Sequence, residues 1–490
     1  MYPKKKHILL LLPFLIISFF QHLPFISQDI QGVHSWRQSV TMWNIRNFTR
    51  HDANILNPRQ DCFNGGQDNI VRLEFPIMQW GIGMMQRVLG ERIEVVRISI
   101  FLIGTCTILG IFFIVNFITR DWLTGLITVI FFQYAPVFYY YTINPLPDIL
   151  ALCASVWYLF FIMQYYQFKR EKRYLIAASA FLCLATLSKL PYLILSMVSI
   201  YFFTKDIRRI GVNRGSIIPA TFQCFGIIPA ALWYIWVMPT WGDSEVLTGI
   251  FSAGLWTERN GLILDYHLST MFPRLLLHPP VWLFASIGFI LFIVKPKKFK
   301  LQWMYGYISM TFLFLLLEFN VIANIHDYYM FPFLPWLYIL VGLGIYQSLK
   351  LWKYNYLLIL PILVISLIQT PNKMAHYWGM HWHKSDRGLF LHHQSLKDAV
   401  PLHEQCIIVN SGKRPNCVFS YKIDKMGHIF YEDRLSPAWI EDLVINHHIN
   451  YMYSDSEKIN CNEEVLQYVE ATIIEVEDIK VFKLGLPVVD

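Results

Sequence analysis

Long apolar runs alternate with short polar ones through the first three quarters of the chain. Their lengths and flanks place spans near 8–26, 95–118, 122–141, 148–168, 174–188, 190–204, 216–238, 280–294, 302–320, 329–348 and 355–370. Most approach the roughly 20 residues needed to cross a hydrocarbon core, so the pattern predicts about eleven membrane helices, two of them short. Lys4-Lys5-Lys6 precedes the first run and no small-residue cleavage site follows it, so that run reads as an uncleaved span rather than a signal peptide.

The cations between the runs are not spread evenly. Lys4 to Lys6, Arg120, Lys169 to Arg173, Lys205 with Arg208, Arg209 and Arg214, Lys295 to Lys298, and Lys350 with Lys353 fall on alternate loops. By the positive-inside rule those loops and the N-terminus are cytoplasmic. The opposite face then carries 29–94, 142–147, the turn at Lys189, 239–279, 321–328 and the tail after Gln369.

Two of these outer segments are long. In the first, His34, Arg37, Gln38 and Thr41 recur with helical spacing on one face, and Trp36, Val40 and Trp43 on another. The expected element is a helix in the interface, with tryptophan toward lipid and the polar face toward a cavity. The second loop, 239–279, holds Trp241, Trp256, Arg259, Asp265, His267 and His278 with weaker periodicity. From Pro371 the composition changes. Trp378, Trp382, His376, His381 and His383 suggest an interfacial linker over 371–396. Alternating strand-like and helix-like segments over 397–490 suggest a small α/β domain, with strands at Cys406–Val409, Tyr451–Tyr453, Ile473–Val476 and Ile479–Phe482, and a helix over Ser436–His447. Residues 1–370 form the membrane domain in this reading.

Composition agrees: 55% apolar and 15% charged residues exclude an ordinary soluble multi-domain protein. The net charge of +7 sits in topological clusters, which argues against a nucleic-acid partner. The eight cysteines include no Cys-x-x-Cys pair, although Cys406, Cys417 and Cys461 could include one disulfide of open pairing. The histidines of the tail lack a zincin spacing, and neither a Walker loop nor a Rossmann fingerprint occurs, which disfavours a nucleotide-linked donor.

Polar residues that could carry chemistry gather on the outer turns. Gly32-Val33-His34-Ser35-Trp36-Arg37-Gln38, Glu74-Phe75-Pro76, Asn144-Pro145-Leu146-Pro147-Asp148, Lys189-Leu190-Pro191 and His326-Asp327-Tyr328-Tyr329 follow one another in that order. The set resembles the GT-C fold glycosyltransferases, in the family-39-like bacterial branch similar to protein O-mannosyltransferases and the lipid A aminoarabinose transferase. The resemblance covers roughly residues 1–370, and the tail is similar to the small periplasmic domain of many such enzymes. It implies a polytopic α-helical protein of the bacterial inner membrane, with a periplasmic site and a C-terminal periplasmic α/β domain. It also implies a sugar carried on a polyprenyl phosphate and an acceptor hydroxyl, on protein, lipid or glycan, that attacks the anomeric carbon with inversion.

That chemistry needs a proton acceptor and positive charge at the departing phosphate. The resemblance makes Glu74 or Asp29 the base, assisted by His34, and Asp148 a second carboxylate. Arg37, Gln38, Lys189, His326, Tyr328 and Tyr329 would contact the substrates. Glu74 and Asp148 could together hold a divalent metal ion. Relatives usually place a carboxylate close to the Trp-Arg-Gln, whereas here that neighbourhood reads Gly-Val-His and the nearest acid is Asp29. A transporter or flippase of lipid-linked glycans, or a membrane-anchored sensor, is the alternative. A transporter calls for midplane charges and an inverted repeat.

Overall fold

The computed structural model describes residues 5–63, 68–242, 249, 258–323, 326–351, 354–379 and 387–487. Trp256, His381, Trp382 and His383 lie outside the described residues. The chain divides into two compact units, one of residues 1–28, 73–78 and 92–377, the other of residues 29–72, 79–91 and 378–490. A cut into 1–370, a linker and 397–490 therefore misses that 29–72 folds with the tail.

The first unit is a multi-span membrane bundle. Among the described residues seven helices are long and apolar enough to cross a membrane: His7–Ile26, Ile93–Thr119, Pro147–Gln167, Leu190–Ile210, Arg214–Trp241, Asp327–Leu351 and Tyr356–His376. The pair Glu258–Leu276 and Pro279–Val294, bent by 85°, makes an eighth if counted as one span. All eleven apolar runs contain helix, but several are too short to cross alone, including Trp122–Gln133 and Trp303–Leu317. Proline explains part of this, since Pro136 ends the first helix of the 122–141 run. The expected loop 239–279 is also corrected. Glu258–Tyr266 is helical and continues as a wider, π-type helix over His267–Leu276, its apolar positions Met271, Leu275 and Leu276 buried.

Asp327–Leu351 is the most buried span and Pro147–Gln167 the next, so these two form the centre of the unit. Trp282–Val294 packs on Leu334–Leu351 through glycine: a Cβ on Gly288 would collide with the Leu340 carbonyl, and one on Gly344 with that of Phe284. Small residues allow such close backbone approach where lipid offers no hydrophobic drive between helices.

The second unit is built on a five-stranded sheet of order β2-β1-β3-β5-β4, with β1 at Cys406–Asn410, β2 at Gly427–Tyr431, β3 at Tyr451–Ser454, β4 at Val469–Val476 and β5 at Ile479–Leu484. β1 runs parallel to β2 and β3, and the β4–β5 hairpin pairs antiparallel to β3. Alternate residues face opposite layers. Ile407, Val409 and Met452 pack with Ile440 and Leu443 of the helix Pro437–Ile445, while Ile408, Tyr453 and Val481 pack with Phe419, Leu389 and Leu396. Leu389 and Leu396 belong to the helix Arg387–Asp398, so the last part of the expected linker contributes to this core. No disulfide forms among the described residues, because Cys406 is buried in β1 while Cys461 is exposed.

The helix Ser35–Arg50 also belongs here and is buried on both faces, Trp43 being 3% exposed. It is not an interfacial helix with tryptophan toward lipid. Its Arg46 and Arg50 reach Asp424 at 2.7 and 2.8 Å, where Lys397 adds a contact of 2.6 Å. Burial alone would raise the pKa of Asp424, but Arg50 and Arg46 outweigh it and hold the carboxyl well below its usual range.

Candidate functional site

The first unit brings one cation and two carboxylates together at the ends of its helices. Lys189 Nζ lies 3.7 Å from Glu74 Oε2 and 3.5 Å from Asp148 Oδ2, and all three side chains are about nine-tenths buried. Each is placed by local chain chemistry. Leu146 is extended, as a residue before proline must be, and Pro147 begins the helix with φ already suited to it. Asp148 therefore falls in the first turn, where the helix dipole favours negative charge.

The turn before it is locked from below. Arg97, fully buried, donates from Nη1 to the Ile143 carbonyl at 3.1 Å and to Asn144 Oδ1 at 2.9 Å, and from Nε to the Gln28 carbonyl at 3.0 Å. Lys189 is extended at the break between the helix Lys172–Ser188 and the 3-10 segment Leu190–Leu195. Glu74 is clamped on both sides by backbone contacts. The Leu73 carbonyl accepts from Trp233 Nε1 at 3.0 Å, and the Phe75 N–H donates to the Leu187 carbonyl at 3.1 Å. Phe75 meets Trp233 edge to face, with ring centroids 5.0 Å apart.

An aromatic group borders the cation. Tyr329 places its ring 5.8 Å from Lys189 Nζ, and His326 lies 5.7 Å from the rings of both Tyr328 and Tyr329. Beneath them Tyr141 donates from its hydroxyl to Asp327 Oδ1 at 2.6 Å, both residues being buried. Of the predicted residues, Glu74, Asp148, Lys189, His326, Tyr328 and Tyr329 thus share one unit. Sequence reasoning passed over Arg97 and Tyr141 and gave Asp327 no role within its motif. The lone cation inside the 95–118 run was the available signal for Arg97, since intramembrane charges mark sites or locks.

Asp29, His34, Arg37 and Gln38 belong to the second unit. Gly32, at φ +80°, supplies the bend beside them, and a Cβ there would strike the Gly379 and Trp378 carbonyls. His34, at φ 64°, precedes the helix Ser35–Arg50, and Arg37 and Gln38 occupy its buried first turns. Asp29 is engaged by Lys422 Nζ at 2.6 Å and the Tyr421 hydroxyl at 2.7 Å. Burial opposes its ionisation, but the Lys422 charge and both hydrogen bonds outweigh it and lower its pKa to about 2.

The described residues bring no third His, Cys, Asp or Glu to Glu74 and Asp148. Two carboxylates already flanking an ammonium are a thin donor set for a divalent cation, which takes six or more oxygens.

Residues 74–236 match the sequence profile of the dolichyl-phosphate-mannose-protein mannosyltransferase family, a range that contains Glu74, Asp148 and Lys189. Among curated protein sequences no match is found. Solved structures match over nearly the whole chain. ArnT from Cupriavidus metallidurans in the apo state superposes with a TM-score of 0.64 at 12% identity, covering 96% of this chain and 97% of that one. The same protein bound to undecaprenyl phosphate gives 0.66 at 11% identity over the same shares. The Archaeoglobus fulgidus oligosaccharyltransferase in its apo form gives 0.56 at 12% identity, covering 92% of this chain and 70% of that one. The chain has the GT-C fold, and its residues 74–236 are similar to the dolichyl-phosphate-mannose-protein mannosyltransferase family.

Proposed function

We propose that the chain is a glycosyltransferase that moves a monosaccharide from a polyprenyl-phosphate carrier to an acceptor hydroxyl, on protein, lipid or glycan, at the periplasmic face of a bacterial inner membrane. The observation that carries this reading is Lys189 held between Glu74 and Asp148 at one end of the bundle. Support comes from the family match over those residues and from the ArnT structure that holds undecaprenyl phosphate. The absence of basic clusters around this end, against Arg120 and Lys295 to Lys298 at the far one, supports the sidedness.

In the proposed step Glu74 takes the proton of the acceptor hydroxyl as its oxygen attacks the anomeric carbon. The bond from that carbon to the phosphate oxygen breaks, and its electron pair leaves with the phosphate. Attack opposite to the leaving bond inverts the centre. Lys189 stands by the oxygen that gains charge. Asp148 holds the ammonium in place, and Tyr329, with His326 beside it, offers a ring face and a polar edge to the sugar. Asp29, tied to Lys422 and Tyr421, is better suited to holding its own unit together than to accepting a proton. Transport finds less support, because Glu74, Asp148 and Lys189 sit at helix ends rather than along them.

The test is transfer by the purified full chain from a panel of polyprenyl-phosphate monosaccharides to a broad acceptor panel, wild type against Glu74→Gln. Transfer by the wild type and a loss of about 10²–10⁴-fold in the variant is expected. No transfer from any lipid-linked donor would overturn the reading.

A further inference from the structure

A second polar site lies at the end of the Pro147–Gln167 helix opposite Asp148. A partly open cavity of about 350 Å³ is bounded there by the ends of Ile93–Thr119 and Pro147–Gln167 and by the segment 298–300. Arg120, Lys298 and Lys300 line it, and no carboxylate does. None of the three has an ion-pair partner among the described residues, and each is exposed. The nearest acid in sequence, Asp121, is committed to capping the next helix, accepting from the Leu123 and Thr124 N–H groups at 3.2 Å.

Deeper in, Asn116 and Gln164 are 5% and 1% exposed. The carboxamide of Asn116 has no hydrogen-bond partner among the described residues. Two long helices and the one-turn helix Pro296–Phe299 end at the cavity, and each carbonyl end carries at most roughly half a negative charge. Three cations exceed that sum, so the cavity keeps a net positive field. Part of the charge is fixed by the backbone: Arg120 and Lys300 both follow helix ends in the left-handed conformation, at φ 57° and 55°, and Gln167 Nε2 donates to the Lys300 carbonyl at 3.0 Å.

We infer that this cavity binds the phosphate-bearing headgroup of an anionic glycerophospholipid. A soluble phosphate would need only the cations. Here the lining is also apolar, with Phe113, Phe117 and Phe160 beside the polar groups and Phe168 53% exposed at the end of an apolar helix, which suits acyl chains descending beside a headgroup. The inference stands apart from the transfer reaction and does not use Glu74, Asp148 or Lys189.

The test is native mass spectrometry of the full chain titrated with dioleoylphosphatidylglycerol, against dioleoylphosphatidylcholine, with inorganic phosphate in large excess as competitor. Wild type should bind phosphatidylglycerol preferentially and keep it in the presence of phosphate. Removing two cations in Arg120→Gln/Lys300→Gln should weaken that binding about 30-fold, at roughly tenfold or less per charge near a bilayer surface. Lys169→Gln/Arg173→Gln, which removes two exposed cations that pair with Glu171 outside the cavity, should leave it within about twofold. Equal binding by the wild type and the Arg120/Lys300 variant would overturn the site, and displacement of the lipid by inorganic phosphate would overturn the lipid assignment. If the double variant does not fold, Lys298→Gln alone carries the test, and wild-type affinity in it would overturn the site equally.

Discussion

Replacing Lys189 by methionine tests the site most directly, because one atom holds two charges. At 3.5 and 3.7 Å, with an effective dielectric near 20, each carboxylate gains about 4–5 kcal/mol of gross attraction from the ammonium. The same two distances cap the carboxylate separation at about 7 Å, where their mutual repulsion is at least about 2 kcal/mol. With the lysine gone only the repulsion remains, and it favours keeping one proton on the pair. Because that repulsion acts in both proteins, the change on losing the lysine is the lost attraction of about 4–5 kcal/mol, which moves the acid limb of the pH–rate profile upward by about 3 units. The maximal rate should also fall about 10²–10³-fold through loss of the charge beside the departing phosphate. The assay is transfer from the lipid-linked donor that the wild type accepts, measured across the pH range for wild type, Lys189→Met, Lys189→Arg and Lys189→Met/Asp148→Asn. The arginine should restore the position of the acid limb without the full rate, and the added Asp148→Asn should bring the limb back down. A Lys189→Met enzyme with wild-type rate and wild-type limb would refute the placement of this lysine in the reaction.

Asp29→Asn should destabilise the protein in a pH-dependent way. Its folded pKa, about 2, lies below the ordinary 3.8, so the ionised form's contribution is present above about pH 4 and is lost as pH falls toward 2. Thermal melts of wild type and variant should therefore differ near neutrality and converge at about pH 2; a constant gap would contradict the Lys422 pairing. Tyr141→Phe removes a buried hydrogen bond to a carboxylate, and should cost about 1.5–3 kcal/mol in unfolding measurements, with an unchanged melt showing that Asp327 does not depend on it. Asp424→Ala leaves Arg46, Arg50 and Lys397 facing one another, and should destabilise the second unit by about 3–5 kcal/mol, read by loss of protease resistance in the tail. Chelation by EDTA should leave transfer within about twofold, given the thin donor set at Glu74 and Asp148; loss restored by a divalent cation would require ligands beyond this pair.

What could be read in the chain follows from how local each signal is. Apolar length found the helices, and the charges between them singled out Glu74, Asp148 and Lys189, which the structure brings together, because a charge next to lipid is costly unless something holds it. The fate of 29–72 was not readable in this way. Its anchors join Arg46 and Arg50 to Asp424, 374 residues further on in the case of Arg50, and no periodicity reports such a pair. Amphipathic spacing over 34–43 was real, but it could not say whether the apolar face meets lipid or protein, and protein took both faces. β2 escaped notice because Gly-His-Ile-Phe-Tyr is short and lies beside β1 at the sheet edge, and the helix Asn416–Ile423 because its apolar residues are interrupted by Ser420 and Lys422. The segment 258–276 was misread as loop because Pro273 and a polar first half hide a helix that turns π-type midway.

The two buried cations of the membrane unit show how a position can be legible while its role is not. Both break an apolar context, yet Arg97 spends its donors on the backbone around Asn144, whereas Lys189 turns its charged tip to two carboxylates. Two acids against one ammonium leave the group negative, which by itself repels a phosphate. In the proposed step this sets the order of events. Once Glu74 takes the acceptor's proton it no longer competes for Lys189, and the ammonium is released toward the phosphate oxygen as that oxygen gains the electron pair of the broken bond. Proton uptake and leaving-group stabilisation are then coupled through a single side chain. A Glu74→Gln variant should on this account fail in proton acceptance while binding a polyprenyl phosphate more tightly than the wild type, since its neutral amide removes one of the two carboxylate charges beside Lys189. Equilibrium binding of undecaprenyl phosphate to the two proteins measures this directly, and weaker binding by the variant would show that the acid pair and the phosphate do not share the lysine.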